Sequence, residues 1–425
     1  IVAAIFRHES SREQDPQLHS HCVVINTTQM ADGAWRSRSN DEIVANQKLL
    51  GEIYQNELAH QLRQCGYAIN PRPHGQFELR GYDTQLLDIF STRRQQILDL
   101  IDTWSEGQDG QVSAARREAA NLRSRRSKRT IPHHVLVDAW HQEIQRQQLT
   151  LPSIPQPNQT LNHPSQAQSA AQAGIHHAAE REAVFRRSKV ERFALENHLG
   201  QQSFADLQRA IQDSQELIQA GPDKYTTQTA IQRELDNIRL MQSGKGQVAA
   251  IATQDEIDRH LTQERTLTQG QRGAIELSGG SCDRILAWQG VAGSGKTYSL
   301  KLLKDLAEAK GYTIQGFAPS AEAAHTLAKA AHIPSDTVAS LLSRQVEPSP
   351  TDKTIWIVDE AGLLSSKDAH TLLQKATTQQ ARVILVGDTR QLSAVEAGNP
   401  FKSLQAGGIQ SAYLDASLRQ KYQDL

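Results

Sequence analysis

Cysteine is scarce in this chain: Cys22, Cys65 and Cys282 are the only three in 425 residues, far apart and without C-x-x-C spacing. That excludes a disulfide scaffold and a thiolate zinc site, and it fits a reducing, cytoplasmic setting. No run of about 18 apolar residues occurs, so no membrane insertion is expected, and no secretory leader is visible. Aromatic residues are few, at 5%, and hydrophobic residues reach 38%, which suffices for several small cores with much polar surface between them. Neither sign of charge prevails. The formal net charge of -1 says nothing about a partner, because an average conceals local clusters. The opening IVAAIFRH lacks a methionine and reads as a strand already in progress, so the chain is expected to begin inside a domain.

At this length two or three folding units are expected. Residues 1–8 and 18–26 are apolar and β-branched around the polar loop ESSREQDPQ, a pattern for two neighbouring strands. Ser39 and Glu42 have capping-box spacing, and Ile43, Leu50, Tyr54, Leu58 and Leu62 recur at helical intervals up to a stop at Gly66. A short hairpin (YAIN, FELR) and a helix near 84–102 follow, making an α+β unit to about residue 145. The run 114–129 carries six arginines and one lysine against one glutamate. It fits a phosphate-contacting segment or a solvated helix face. Residues 151–174, rich in Pro, Gln, Ser and Ala, read as linker, and His176 to about 262 reads as helical. From 266, the apolar runs ILAWQG, TIQGFAP, TIWIVDE and RVILVGD alternate with helices, which predicts a parallel sheet covered on both faces.

The nucleotide-binding signal is GVAGSGKT, 290–297, between an apolar strand and the helical YSLKLLKDLAEAK. Gly290, Gly293, Ser294 and Gly295 form a loop whose N–H groups can face phosphate oxygens. Lys296 would neutralise the β and γ phosphates of ATP, and Thr297 would ligate Mg²⁺. WIVDE adds Asp359 to hold Mg²⁺ through water and Glu360 to orient the attacking water. RVILVGDTRQL adds Asp388 and Gln391, placed to sense the γ-phosphate. Together with LTQGQ (267–271), FAPS (317–320) and LRQ (418–420), this order resembles the motif series of superfamily 1B helicases, the RecD-like branch. The resemblance implies that Gln271 contacts adenine, that Arg419 is an arginine finger, and that Pro319, Ser320, Thr337 and Ser340 face single-stranded DNA. It also implies 5′-to-3′ unwinding and a second RecA-like lobe. A chain ending shortly after LRQ is expected to bind nucleotide weakly and hydrolyse it poorly.

A second constellation is His8, His19 and His21. On a strand, His19 and His21 share a face, and an antiparallel partner would bring His8 opposite them. Three neutral imidazoles suit a divalent ion with open positions for phosphate oxygens, although an H-x-H pair also occurs as ordinary surface or core histidine. The whole string HESSREQDPQLHSHCVVIN resembles the H-x-x-S-R-x-x-D-P-x-L-H-x-H-x-x-x-x-N signature of MobF-type relaxases, in the HUH endonuclease superfamily. Ser10 and Asp15 read as loop-shaping residues.

The resemblance implies a metal (Mg, Mn or Zn) on the three histidines and nicking of one strand at a plasmid transfer origin by a tyrosine. That tyrosine would lie upstream of His8, where this chain has none; neither Tyr54 nor Tyr67 is assigned the role. Relaxosome accessory proteins and a secretion coupling protein are the implied partners, beside single-stranded and duplex DNA. The expected architecture is multidomain. Residues 1–145 form the C-terminal part of an α+β HUH relaxase domain, 146–175 a linker, 176–264 a helical accessory domain and 265–425 a truncated α/β RecA-like lobe with a parallel sheet. Two other readings stay open: a RecD-like repair helicase behind an unrelated leading domain, and a catalytically idle single-strand-binding remnant of a mobile element.

Overall fold

The computed structural model describes residues 2–37, 39–105, 131–157, 164–262, 264, 266–291, 293–345, 353–390 and 398–415. Contacts divide the chain into one unit of Ile1–Ala167 with Leu195–Asp206, and another of Gln168–Ala194 with Leu207–Leu425. The basic run 114–129, Gln391 and Arg419 lie outside the described residues.

The first unit opens on the expected ribbon, β1 (Ala3–Ser10) antiparallel to β2 (Pro16–Val24), with Phe6 opposite His21 and His8 opposite His19. A miniature hairpin, β3 (Thr28–Gln29) and β4 (Trp35–Arg36), follows. The capping box expected at Ser39 and Glu42 does not form. The Ser39 hydroxyl instead donates to the Asp41 carboxylate and accepts the Asp41 N–H. Asn40 then heads a five-residue helix, Asp41–Ala45, separated at Asn46 from the helix Gln47–Gln64.

The buried face of that longer helix also differs from expectation. Leu50 and Tyr54 are 48% and 58% exposed, and Asn56, Ala59 and His60 are the buried residues. Its packing partner comes from far along the chain: the Asn56 amide donates to Gln202 O and accepts from Gly200 N–H, and Glu57 accepts the Phe204 N–H. Gly200, at φ +66°, fits there because a Cβ would stand 2.8 Å from Ala59 Cβ.

The helix stops at Gly66 as expected, with φ +91°. The hairpin of β5 (Ile69–Arg72) and β6 (Gln76–Leu79) is also present. The helix anticipated near 84–102 is two, Thr84–Ile89 and Thr92–Ser105. The break arises because the Thr92 N–H and hydroxyl both donate to the Asp15 carboxylate, which caps a new helix start. The helix His133–Arg146 follows.

The linker expectation fails from residue 164 onward. Residues Pro164–Arg181 form a helix whose Ala167, Ala171, Ile175 and Ala178 are buried at 3–4-residue intervals. Nor is 176–262 wholly helical: β7 (Phe185–Arg186), β8 (Leu217–Gly221) and β9 (Lys224–Thr227) make a three-stranded antiparallel sheet in the order β7-β9-β8. The turn Gly221-Pro222-Asp223, with Asp223 at φ +52°, lets that hairpin reverse, and Thr227 caps the helix Gln228–Ser243.

The rest of this unit is built on β10 (Ile285–Gly290), β11 (Thr313–Ala318), β12 (Ser335–Thr337), β13 (Thr354–Val358), β14 (Arg382–Gly387) and β15 (Gln410–Leu414). Every neighbour pair is parallel, in the order β12-β11-β13-β14-β10-β15. Alternate residues feed two separate cores. Trp288, Ile357, Ile384 and Val386 enter one with helix residues Leu300 and Leu303. Ala287, Trp356, Val358 and Leu385 enter the other with Leu372 and Leu373. Burial on both faces is why these strands read as unbroken apolar runs.

Candidate functional site

The residues expected to bind nucleotide gather at the carboxyl edge of the six-stranded sheet, where ligands bind in open α/β folds. β10 ends at Gly290, and Gly293 and Gly295 take φ of +77° and +79°, curling the loop into the helix Lys296–Ala309. Lys296 Nζ donates to Gly290 O at 2.6 Å and to Val291 O at 3.3 Å, so the loop carbonyls hold the lysine. A Cβ at Gly290 would sit 3.0 Å from Lys296 Cδ, so only glycine leaves that side chain its path. Ser294 is buried in the loop, and Thr297 is partly exposed at the helix start.

Gln271 is buried beside this loop. Its Nε2 donates to Ser294 O at 3.0 Å, and its Oε1 accepts the Thr268 N–H in a capping box. Each end of the amide keeps one further hydrogen-bonding position, one N–H and one lone pair. Asp359 and Glu360 follow β13. Burial pushes the Asp359 carboxyl above the usual range, opposed by the Glu360 N–H and by the Lys296 charge. Glu360 is pushed up by burial and then by the Asp359 charge, with Lys296 opposing. The Lys296 charge thus acts on both acids. Glu360 also sits at φ +52°, a left-handed conformation unusual for a residue with a side chain.

The four residues expected to face DNA lie close together at the same edge, since Ala318 and Thr337 are register partners on β11 and β12. Ser320 caps the helix Ala321–Ala331 by accepting the Ala323 N–H, just after Pro319. Thr337 accepts the Ser340 N–H, and the Ser340 hydroxyl donates to Asp336 and accepts from Arg344. Both hydroxyls are thus committed within the chain, and Arg344 is the exposed cation among them.

In the first unit the three imidazoles share one face of the ribbon. Their ring centroids stand 5.4 Å (His8–His19), 4.9 Å (His8–His21) and 5.1 Å (His19–His21) apart. Nitrogens about 2.1 Å from a shared tetrahedral ion would place ring centres roughly 5 Å apart, so the spacing fits the donor set. His19 Nδ1 lies 2.9 Å from Gln17 O. Donation there fixes the tautomer and leaves Nε2 as the acceptor nitrogen. Among the described residues no group of three or more His, Cys, Asp or Glu side chains has its donor atoms in ligand positions as they stand.

The loop beneath is shaped by Ser11 instead of Ser10: the Ser11 hydroxyl accepts the Glu13 and Asp15 N–H groups, whereas Ser10 pairs with Pro16 in the ladder. Asp15, 8% exposed, shapes the loop as expected. Two further contacts had no signal in residue spacing: Trp140 Nε1 donates to Gln14 O at 2.7 Å, and His133 Nδ1 meets Glu9 Oε2 at 2.5 Å.

Comparison with known families matches residues 1–147 to the TrwC relaxase family and residues 266–425 to an AAA domain. The chain pairs a TrwC relaxase domain with an AAA domain. A probable conjugal transfer protein TraA of Sinorhizobium fredii is 36% identical over 208 residues, covering 48% of this chain and 18% of TraA. The multifunctional conjugation protein TraI of Escherichia coli is 25% identical over 440 residues, covering 96% of this chain and 24% of TraI. The chain thus spans a quarter or less of these relatives. The ATP-dependent RecD2 DNA helicase of Deinococcus radiodurans is 34% identical over 146 residues, 32% of this chain and 20% of its own. Among solved structures, a metal-bound conjugative relaxase TrwC in complex with oriT DNA is 38% identical over 35% of this chain and 51% of that one, with a TM-score of 0.32. Among the described residues no helix is long and apolar enough to cross a membrane.

Proposed function

We propose that this chain acts in a cytoplasmic conjugative relaxase–helicase, in which metal-dependent nicking of transfer-origin DNA is joined to ATP-driven 5′-to-3′ unwinding. The observation that carries the reading is the gathering of His8, His19 and His21 on one ribbon face at about 5 Å spacing, in a chain whose AAA domain holds Lys296, Asp359 and Glu360 at one sheet edge. The similarity to TraI, which runs through 96% of the chain, supports it.

In the relaxase domain, His8, His19 and His21 would hold one divalent ion, Mg²⁺, Mn²⁺ or Zn²⁺, whose chemistry there is polarisation of a scissile phosphodiester. The chain's own contribution is orientation. The ladder sets His8 against His19, the Gln17 carbonyl fixes the His19 tautomer, and Asp15 pins the loop between the strands. In the AAA domain, Gly290, Gly293, Ser294 and Gly295 cradle phosphates, Lys296 neutralises them, and Thr297 and Asp359 provide for Mg²⁺. Glu360 orients the attacking water, Gln271 contacts adenine, and Gln391 and Arg419 respond to the γ-phosphate. Pro319, Ser320, Thr337 and Ser340 lie along the single strand, and relaxosome accessory proteins and a coupling protein are the protein partners.

Two measurements test this. DNA-stimulated ATP hydrolysis should fall by about a hundredfold in Lys296→Ala, the scale of removing a principal charge stabiliser. Binding to a transfer-origin single strand should strengthen with Mn²⁺ in the wild type and not in His19→Ala. ATP turnover without any histidine-dependent metal effect would instead favour a repair helicase, the reading to which the RecD2 similarity alone would lead.

A further inference from the structure

β10 is buried and apolar up to Gln289, whose carboxamide lies one residue before the nucleotide loop and is 7% exposed. A buried amide is costly unless its donors and acceptor are all used. Gln289 uses one N–H and both lone pairs of its carbonyl oxygen on residues from two other parts of the chain. Its Nε2 donates to Asp388 Oδ1 at 2.9 Å, and its Oε1 accepts the Thr389 N–H and the Gln405 Nε2–H, each at 3.2 Å. The amide has one sensible orientation, because a backbone N–H requires the carbonyl oxygen and a carboxylate requires the NH₂.

Asp388 follows β14, and Gln405 lies on the helix Pro400–Ala406. One side chain therefore ties the strand feeding the nucleotide loop to the acid ending the next strand. Space there is tight: Gly387 is the register partner of Gln289, and a Cβ on it would stand 3.0 Å from Gly362 N and 3.1 Å from Phe401 Cε1. The Arg390 N–H also donates to Asp388 Oδ1, at 3.0 Å. Both bonds fall on one carboxylate oxygen, so that oxygen is anchored, and among the described residues the other is left to accept from a water. A neutral, two-ended amide can do this without adding charge beside a triphosphate; a glutamate would repel Asp388, and a leucine would leave its carboxylate only the local Arg390 N–H.

We propose that Gln289 is a positioning residue for ATP hydrolysis, holding the Asp388 carboxylate in register with the nucleotide loop. It acts on turnover through Asp388 and touches no nucleotide itself. The proposal rests on the reading of the AAA domain as an ATP-hydrolysing lobe in which Asp388 senses the γ-phosphate.

The experiment measures DNA-stimulated ATP turnover by the 425-residue chain and its affinity for a fluorescent ADP analogue, in wild type, Gln289→Leu, Asp388→Asn, the double variant and Lys296→Ala. Misplacing Asp388 should lower kcat by about tenfold or more in Gln289→Leu, while KM for ATP and ADP affinity stay within about threefold. The double variant should turn over no more slowly than Asp388→Asn alone, because the two residues act as a unit. If Gln289→Leu fails to fold, Gln405→Leu, which removes one partner of the Gln289 carbonyl, should lower kcat in the same direction to a smaller extent. An unchanged kcat in these variants, or fully additive losses in the double variant, overturns the proposal. Should Lys296→Ala leave wild-type turnover intact, the reading of the lobe falls and this assignment with it. Should Lys296→Ala abolish turnover while Gln289→Leu does not slow it, only this assignment falls.

Discussion

His19 shows how much of a site is set by a single backbone contact. Its Nδ1 meets the carbonyl of Gln17 two residues earlier, so the nitrogen offered outward follows from the strand's own geometry. Glu360 shows the converse, a side chain proposed to orient the attacking water and carried on a strained, left-handed residue. Replacing it with glutamine keeps size and backbone while removing the base. ATP turnover should then fall by about 10²–10⁴-fold with ADP affinity retained; loss of ADP binding would make Glu360 a structural residue. Arg382 carries stability at this scale. It is 2% exposed and donates to Ser278 O and Ala249 O at 2.8 and 2.7 Å, and burial lowers its pKa. Arg382→Met fills the volume and orphans the buried Ser278 carbonyl while freeing the exposed Ala249 carbonyl to water, so denaturant unfolding should show a loss of about 1–3 kcal/mol. A variant as stable as wild type would mean that water replaces both bonds.

Among the elements, the helix Gln254–Leu261 depends on its first turn. The Glu256 carboxylate accepts from the Thr253 N–H and hydroxyl and from Lys310 Nζ, and these bonds pull its pKa down to about 2. Because the folded pKa lies below the unfolded one, the stabilisation is present above the ordinary glutamate range and disappears as pH falls towards 2. Wild type should therefore melt above Glu256→Gln at neutral pH, with the two melting curves converging in acid. A constant gap at all pH would contradict this. Thr253→Ala should cost about 1 kcal/mol by loss of the cap.

Which elements could be read from sequence follows from where their determinants lie. β10, β13 and β14 were legible because burial on both faces leaves a continuous apolar signature, and the nucleotide loop because its glycines are local necessities. The buried face of Gln47–Gln64 was not, because it packs on residues 199–204, and Leu50 and Tyr54 stay exposed despite their helical spacing. The break at Thr92 depends on Asp15, 77 residues away. Likewise nothing local marks Gln289, whose partners lie near residues 388 and 405.

For the whole molecule, the histidines and the nucleotide loop fall in different contact units. Their chemistries should therefore fail separately. Lys296→Ala should lower ATP turnover by about a hundredfold while leaving metal uptake by the relaxase domain unchanged, and His21→Ala should do the reverse. Simultaneous loss of both in either variant would mean that the two activities depend on one shared structure. The most direct test of the central claim is a calorimetric Mn²⁺ titration of the nucleotide-free chain, checked by elemental analysis of the dialysed protein. The account predicts one ion per chain in the wild type and in Lys296→Ala, and none at comparable affinity in His8→Ala, His19→Ala or His21→Ala. Undiminished stoichiometric binding in the histidine variants, or no binding in the wild type, would contradict it.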